Sequence, residues 1–118
     1  MKRLLAFKYA LQGVLKALQA EFHLKVHFFA TFLLTGAGFY FNVSSLEWAV
    51  LLICIGVVIS LEMMNSAIEK LSDKVDSTVS EKIAYVKDVA AGAVLVFSLI
   101  STAVAVIIFT PYIIKQVF

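Results

Sequence analysis

Three stretches of this chain carry no charged side chain, and such stretches commit a chain to a lipid bilayer. They run from Val26 to Leu46, from Trp48 to Leu61 and from Val89 to Ile114. A helix needs about 20 mostly apolar residues to cross the hydrocarbon core, and these stretches with their flanking residues supply that length. The chain as a whole is 62% hydrophobic and 15% charged, unlike a water-soluble domain. We therefore predict an integral membrane protein.

An amphipathic pattern precedes the first apolar stretch and predicts a helix over residues 2–22. Apolar side chains recur there at steps of three and four residues, namely Leu4, Phe7, Leu11, Val14 and Leu18. Such a helix lies in the membrane interface. The expected fold is an all-α membrane domain over residues 1–118, with this surface helix and spans at about 26–42, 47–64 and 89–114. Three spans enclose a polar site poorly, so we also expect an oligomer.

Two local signals concern the last helix. Thr78 is followed three residues later by Glu81, which is a capping-box pattern and predicts a helix start. Pro111 near the end of the last span is expected to kink or stop the helix, because proline lacks the backbone N–H. The second span is expected to continue as a polar helix as far as Asp76.

The basic residues predict the orientation. One side of the predicted membrane domain carries nearly all of them: Lys2, Arg3, Lys8, Lys16, Lys25, Lys70, Lys74, Lys82 and Lys87. The other side carries Lys115. Because cytoplasmic loops are enriched in lysine and arginine, we expect the N-terminus and the polar loop after the second span in the cytoplasm.

A column of polar side chains begins where the second apolar stretch ends. On a helix, Glu62, Asn65, Glu69 and Asp73 fall within an arc of roughly 80° and share one face. An ionisable residue beside an uninterrupted apolar span is a functional candidate, so Glu62 stands out. For Asp73 and Asp76, a solvated helix face paired with nearby lysines explains the pattern better.

Further polar residues are expected to approach this column. Lys87 and Asp88 follow the polar loop, and Glu21 ends the surface helix, so these acids with Glu62, Glu69 and Asp73 could surround one small volume. Carboxylates that close together call for a divalent cation, and Mg²⁺ held by carboxylates and nucleotide phosphates is the usual arrangement for phosphoryl transfer. A further carboxylate at membrane depth could accept the proton of a lipid hydroxyl.

Other interpretations remain open on the residues alone. Glu62 could carry protons in a small antiporter, and a non-catalytic scaffold is a third possibility that leaves Glu62 unexplained. His23 and His27 are one helical turn apart, but without a third ligand we interpret them as interfacial polar residues. The single Cys54 is interpreted as facing lipid or filling the core.

Two runs of residues resemble a known family. Glu62-Met-Met-Asn65-Ser66-Ala67-Ile68-Glu69, with Asp73 after it, is followed by Lys87-Asp88-Val89-Ala90-Ala91-Gly92-Ala93. Joined at this spacing, they closely resemble the prokaryotic diacylglycerol kinase and undecaprenol kinase family. Phe7-Lys8-Tyr9-Ala10, Gly13 and Glu21 also stand where that family has comparable residues.

The resemblance implies an ATP- and Mg²⁺-dependent lipid kinase of the bacterial inner membrane, a homotrimer with active sites shared between protomers. By carry-over, Glu62 would be the general base, Glu21 and Glu69 would hold Mg²⁺ with the ATP phosphates, and Asn65 would order the site. The remaining carried-over positions would contact or shape the nucleotide pocket: Tyr9, Asp73, Lys87 and Asp88. Lys25 and Ala91 are assigned to site ordering or to the lipid. No nucleic-acid partner is expected.

The chain departs from the family pattern after Glu21. The family usually has Asn and Arg where this chain has His23 and Lys25, and Lys25 keeps the charge but loses the bidentate fork of arginine. The run Val89-Ala90-Ala91-Gly92-Ala93 looks more like the undecaprenol kinase branch than the enteric diacylglycerol kinase branch. We therefore expect undecaprenol as the substrate, with diacylglycerol as the alternative.

Overall fold

The computed structural model describes residues 2–76 and 80–118, and these residues form four α-helices. Helix α1 spans Lys2–Ala20, α2 spans Phe22–Phe41, α3 spans Ser45–Val75 and α4 spans Glu81–Val117. Helices α2, α3 and α4 are each long and apolar enough to cross a membrane. By length and composition, these helices confirm the predicted all-helical membrane architecture with three spanning helices.

The helix ends differ from the predicted boundaries in ways that matter for function. Helix α1 ends at Ala20 rather than near residue 22, because the next residue, Glu21, adopts an extended conformation (φ −109°, ψ 116°) as the N-cap of α2. Helix α3 continues well past its apolar segment to Val75, as expected, and Asp76 is its C-cap. The break between α1 and α2 therefore places a carboxylate at a bend of the chain.

Helix α3 is the central element, since it contacts each of the other three helices. It packs most extensively along α4, and α1 contacts both α2 and α3. The bundle has two ends. We call the end formed by the α2–α3 connection the hairpin end, and the opposite end, where α1 and the polar half of α3 meet, the polar end.

Local sequence explains the tight turn at the hairpin end. Asn42 adopts the left-handed conformation (φ 53°), which asparagine tolerates better than most residues, and it ends α2. Ser44 and Glu47 then form a reciprocal capping box that starts α3. The hydroxyl of Tyr112 on α4 also donates to the Glu47 carboxylate.

An apolar cluster closes the bundle at the hairpin end. Val43, Leu51, Ile108 and Phe109 are buried and pack together. Partly buried side chains from all three spanning helices surround them: Leu34, Ala37, Phe41, Trp48, Val104, Ala105 and Tyr112. The helices are therefore joined most firmly at this end.

Gly38 provides a test of that packing. A Cβ atom at Gly38 would lie 2.5 Å from Cη2 and 2.7 Å from Cζ2 of Trp48, whereas a Cβ at Gly36 would meet nothing within 4 Å. We expect Gly38→Ala to lower the free energy of unfolding by about 1–3 kcal/mol, the usual cost of overpacking a tight contact. Gly36→Ala is the matched control and should be neutral or stabilising, because alanine favours helix more than glycine. Denaturant unfolding of both variants in detergent micelles measures the difference, and equal stabilities would contradict the packing.

The start and end of α4 show two further differences from expectation. Ser80 is its N-cap and accepts a hydrogen bond from the Ile83 N–H at 3.2 Å. The capping role predicted for Thr78 lies outside the described residues. At the other end, α4 continues through Pro111 to Val117, so Pro111 does not stop the helix.

Helix α1 has no buried residue in the single chain. Of its apolar side chains, Leu4 and Phe7 are more than two-thirds exposed, and Leu5, Leu11 and Leu15 are about half exposed. This exposure is compatible with a helix that lies against lipid or against another subunit. The position of α1 at the membrane surface and the trimer remain predictions.

Candidate active site

The predicted general base, Glu62, is buried at the polar end of the bundle. Only 7% of its surface is exposed, and the neighbouring Asn65 and Ser66 on α3 are buried to a similar degree. A carboxylate in such a position is costly at the edge of the hydrocarbon region unless a function requires it. The structure thus makes Glu62 the most enclosed of the predicted site residues.

A partner of the Glu62 carboxylate comes from α2. His27 Nε2 lies 3.7 Å from Glu62 Oε2, and the His27 side chain is 23% exposed. His27 lies near the start of α2, and Glu62 lies where the apolar segment of α3 ends. The contact therefore joins the polar ends of two predicted spans. His27 had been interpreted as an interfacial polar residue without a role in the site. It is instead one of the groups that face the candidate base.

Glu21 reaches the same region from the bend between α1 and α2. The Ser66 hydroxyl on α3 donates a hydrogen bond to Glu21 Oε1 at 2.8 Å. Because a carboxylate has two oxygens and four lone-pair sites, this bond leaves acceptor capacity free for another group. Ser66 therefore holds Glu21 beside α3, a role that the sequence reasoning did not assign.

Asn65 and Glu69 form the next turn of the site. Asn65 Nδ2 donates to Glu69 Oε1 at 3.5 Å. The other polar atom of this amide, Oδ1, is buried without a hydrogen-bond partner. A buried oxygen without a partner is uncommon in folded proteins and calls for an explanation. Here it lies one helical turn from the Glu69 carboxylate, where a bound cation would satisfy it.

Asp73 pairs across the bundle rather than along its own helix. The Lys87 ammonium on α4 contacts Asp73 Oδ1, and the Asp73 side chain is 63% exposed. The sequence favoured a solvated face in which Asp73 pairs with Lys70 and Lys74 on α3. The exposure agrees with that reading, but the partner does not. The ion pair also brings Lys87 to the polar end, as the nucleotide assignment requires.

The predicted acids do not gather at one point within a single chain. Among residues 2–76 and 80–118, no group of three or more His, Cys, Asp or Glu side chains could hold a metal ion. The reason is geometric, because Glu62 and Asp73 are eleven residues apart and therefore about 16 Å apart along the helix axis. The expectation that five acids surround one small volume is not met within one protomer.

Several predicted nucleotide and lipid contacts are exposed. Tyr9 is 64% exposed on α1. Lys25, Asp88 and Ala91 are also exposed. In a single chain these positions form an open surface rather than a pocket. Their roles stay predictions.

Two residues of the site escaped the sequence reasoning, namely His27 and Ser66. Ser66 stood inside the motif that carries the family resemblance, so its position was available as a signal. For His27 the available signal was its depth in the membrane. His27 lies near the start of the first predicted span and Glu62 near the end of the second, so both are expected at a similar depth. Sequence separation hid both contacts, since each partner lies tens of residues away.

The fold and site define a class of protein. It is an integral membrane protein of three spanning helices, with a buried carboxylate and further acids at one end of the bundle. Comparison with known proteins is more specific. Residues 8–109 match the family described as prokaryotic diacylglycerol kinase. The chain is also similar to the undecaprenol kinase of Bacillus subtilis (strain 168), with 33% identity over 106 residues that cover 90% of this chain and 86% of that protein.

The chain therefore belongs to the prokaryotic diacylglycerol kinase family, and it is a lipid kinase. This membership confirms the resemblance found in the sequence motifs. It also favours a kinase over the antiporter and scaffold interpretations.

Proposed function

We propose that this lipid kinase transfers the γ-phosphoryl group of ATP to undecaprenol in a Mg²⁺-dependent reaction. The observation that carries the proposal is the burial of Glu62 at the edge of the apolar segment of α3. A lipid hydroxyl can reach that depth without leaving the bilayer. The similarity to an undecaprenol kinase supports this substrate, and diacylglycerol, which would give phosphatidic acid, is the alternative.

Glu62 acts as the general base. The lipid hydroxyl oxygen attacks the γ-phosphorus, the bond from that phosphorus to the β–γ bridging oxygen breaks, and ADP leaves with those electrons. The hydroxyl proton passes to Glu62 as the new bond forms, because a carboxylate is too weak a base to remove it beforehand. His27 Nε2 lies 3.7 Å from this carboxylate and faces the place of proton transfer.

The oxygen atoms near α3 fit a hard divalent cation. Glu21 and Glu69 would hold Mg²⁺, and the partnerless Oδ1 of Asn65 supplies a further oxygen at the same turn. When bound, the ion would neutralise charge on the ATP phosphates. Ser66 and Asn65 serve this site by fixing the two carboxylates.

We assign nucleotide binding to residues at the surface of the polar end. Lys87, held by Asp73, presents a cation for phosphate oxygens. Tyr9 and Asp88 shape the nucleotide pocket, and Lys25 and Ala91 order the site or meet the lipid. Because Tyr9, Lys25, Asp88 and Ala91 are exposed in one chain, we propose that a homotrimer completes each site with a neighbouring protomer.

We also propose the bacterial inner membrane as the location, with the polar end in the cytoplasm. The end of α1 lies at the same end of the bundle as Lys87, because Glu21, which follows α1, accepts a hydrogen bond from Ser66 on the polar half of α3, and Lys87 pairs with Asp73 on that same half. Positive residues mark the cytoplasmic side, where ATP is available.

The direct test offers radiolabelled ATP and Mg²⁺ to the purified protein in mixed micelles that contain undecaprenol or diacylglycerol. We expect label in undecaprenyl phosphate, less in phosphatidic acid, and little ATP hydrolysis without an acceptor. Glu81→Gln is a suitable control, since Glu81 is exposed in the first turn of α4 and should leave the rate unchanged. Absence of label in both lipids would contradict the proposed reaction.

A further inference from the structure

A cavity of about 370 Å³ lies between α2, α3 and α4, inside the segments that cross the membrane. This volume falls within the range of roughly 300–1,000 Å³ that is usual for ligand pockets. No Asp, Glu, Lys or Arg lines it, and its lining is dominated by aliphatic side chains. The cavity therefore suits a hydrocarbon guest.

The cavity is closed at the hairpin end. Leu51, one of its lining residues, belongs to the buried apolar cluster there. Ala105 on α4 also lines the cavity and packs against the same cluster. This packing leaves the polar end and the lipid-facing side as routes of entry for a guest.

The cavity leads toward the candidate base. His27 lines it and lies 3.7 Å from Glu62. On α3 the lining extends to Ile59, which precedes Glu62 by three residues, or about 4.5 Å along the helix. The apolar space therefore ends beside the proposed site of proton transfer.

The polar atoms in the wall suit a guest that carries a hydroxyl group. Thr31 and Thr102 donate to backbone carbonyls of their own helices. The hydroxyls of Ser98 and Ser101 are buried without a partner. Ser98 is the lining residue of α4 nearest the polar end, because α4 starts at that end. It could bond a guest hydroxyl near His27.

We propose that this cavity binds the segment of a single-chain lipid alcohol that adjoins its hydroxyl. The hydroxyl lies at the mouth between His27, Glu62 and Ser98, the adjoining chain fills the cavity, and the rest leaves through the open side into the bilayer. The proposal rests on the proposed kinase function. The single cavity beside the Glu62 carboxylate accommodates one hydrocarbon chain. It therefore favours a polyprenol, which has one chain, over diacylglycerol, which has two.

The first test maps the guest on the wild-type protein. A short-chain polyprenol with a diazirine in the unit next to the hydroxyl is photolysed with the enzyme in micelles, and cross-linked peptides are identified by mass spectrometry. We expect adducts near the mouth, at residues 27–31, 55–59 and 98–102, that excess undecaprenol suppresses. Adducts confined to the lipid-exposed faces, or adducts that undecaprenol does not suppress, would overturn the proposal. Adducts confined to those faces are also the result expected if a neighbouring protomer fills the cavity.

The second test narrows the cavity. Ala105→Phe places a ring in it, whereas Ala103→Phe, two residues away on an exposed position outside the lining, is the matched control. We expect the KM for polyprenol to rise by about tenfold or more in the first variant, with the KM for ATP unchanged. The control should match the wild type. Equal polyprenol KM values for the two variants would contradict the assignment.

The two hypotheses fail in different ways. If the wild-type protein phosphorylates no lipid alcohol, the proposed function is wrong. If it phosphorylates undecaprenol, but the adducts lie outside the cavity and Ala105→Phe leaves the KM for polyprenol unchanged, only the assignment of the cavity is wrong. A wild type that phosphorylates diacylglycerol and not polyprenol would contradict the single-chain guest.

Discussion

Replacing Glu62 by glutamine is expected to lower kcat by about 10²–10⁴-fold, the usual contribution of a positioned general base. Glutamine keeps the size of the side chain but cannot accept the hydroxyl proton. Glu62 is buried beside His27 at the edge of the apolar segment, whereas the residues proposed for the nucleotide lie farther along α3 and on α4. ATP affinity should therefore stay nearly unchanged.

The measurement compares nucleotide binding and kcat for Glu62→Gln and for Glu81→Gln, which changes an exposed glutamate in the same way. Retention of a folded bundle is checked by circular dichroism in the same micelles. If Glu62→Gln loses ATP binding but keeps lipid turnover at saturating nucleotide, Glu62 belongs to the nucleotide site and not to proton transfer. Normal turnover would remove it from the mechanism.

The membrane architecture could be predicted from the sequence because it depends on local composition. Long uncharged stretches leave few alternatives to spanning helices, and α2, α3 and α4 contain nearly all of the predicted spans. The choice of Glu62 as a functional candidate followed from the same logic, since it stands where an apolar segment ends. These features are properties of one helix at a time.

The contacts between helices could not be predicted in this way. Helical periodicity tells which residues share a face, but not which residue of another helix that face meets. The Glu21–Ser66 hydrogen bond joins residues 45 positions apart, and the Tyr112–Glu47 hydrogen bond joins residues 65 positions apart. Such pairs depend on how the three spans are packed together.

The separation of the acids along the axis of α3 is a second feature that was not taken into account in the prediction of one shared site. Glu62, Glu69 and Asp73 share an arc around the helix axis, but their separation along the axis prevents them from binding one ion together. The structure instead divides the polar end into three contacts: Glu62 with His27, Glu69 with Asn65, and Asp73 with Lys87. This division agrees with separate roles for base, metal ligand and nucleotide contact.

Glu69 provides the second large expected effect, and it should differ in kind from that of Glu62. Glu69→Gln removes the negative charge next to the partnerless Asn65 Oδ1, so a divalent cation would lose a ligand. Loss of an outer-shell partner typically costs 10–100-fold in metal affinity, and loss of a ligand should cost at least about that much in Mg²⁺-dependent ATP binding.

The decisive measurement is binding of a non-hydrolysable ATP analogue to Glu69→Gln and Glu62→Gln across a range of Mg²⁺ concentrations. We expect Glu69→Gln to bind the analogue weakly and to recover only partly at high Mg²⁺, because a ligand is missing rather than protonated. Glu62→Gln should bind it like the wild type. Since Glu62 and Glu69 lie on one face of α3 two turns apart, opposite patterns in these two variants would place the metal at Glu62 and reverse the two roles. Normal ATP binding and turnover by Glu69→Gln would instead make Glu69 part of a solvated helix face.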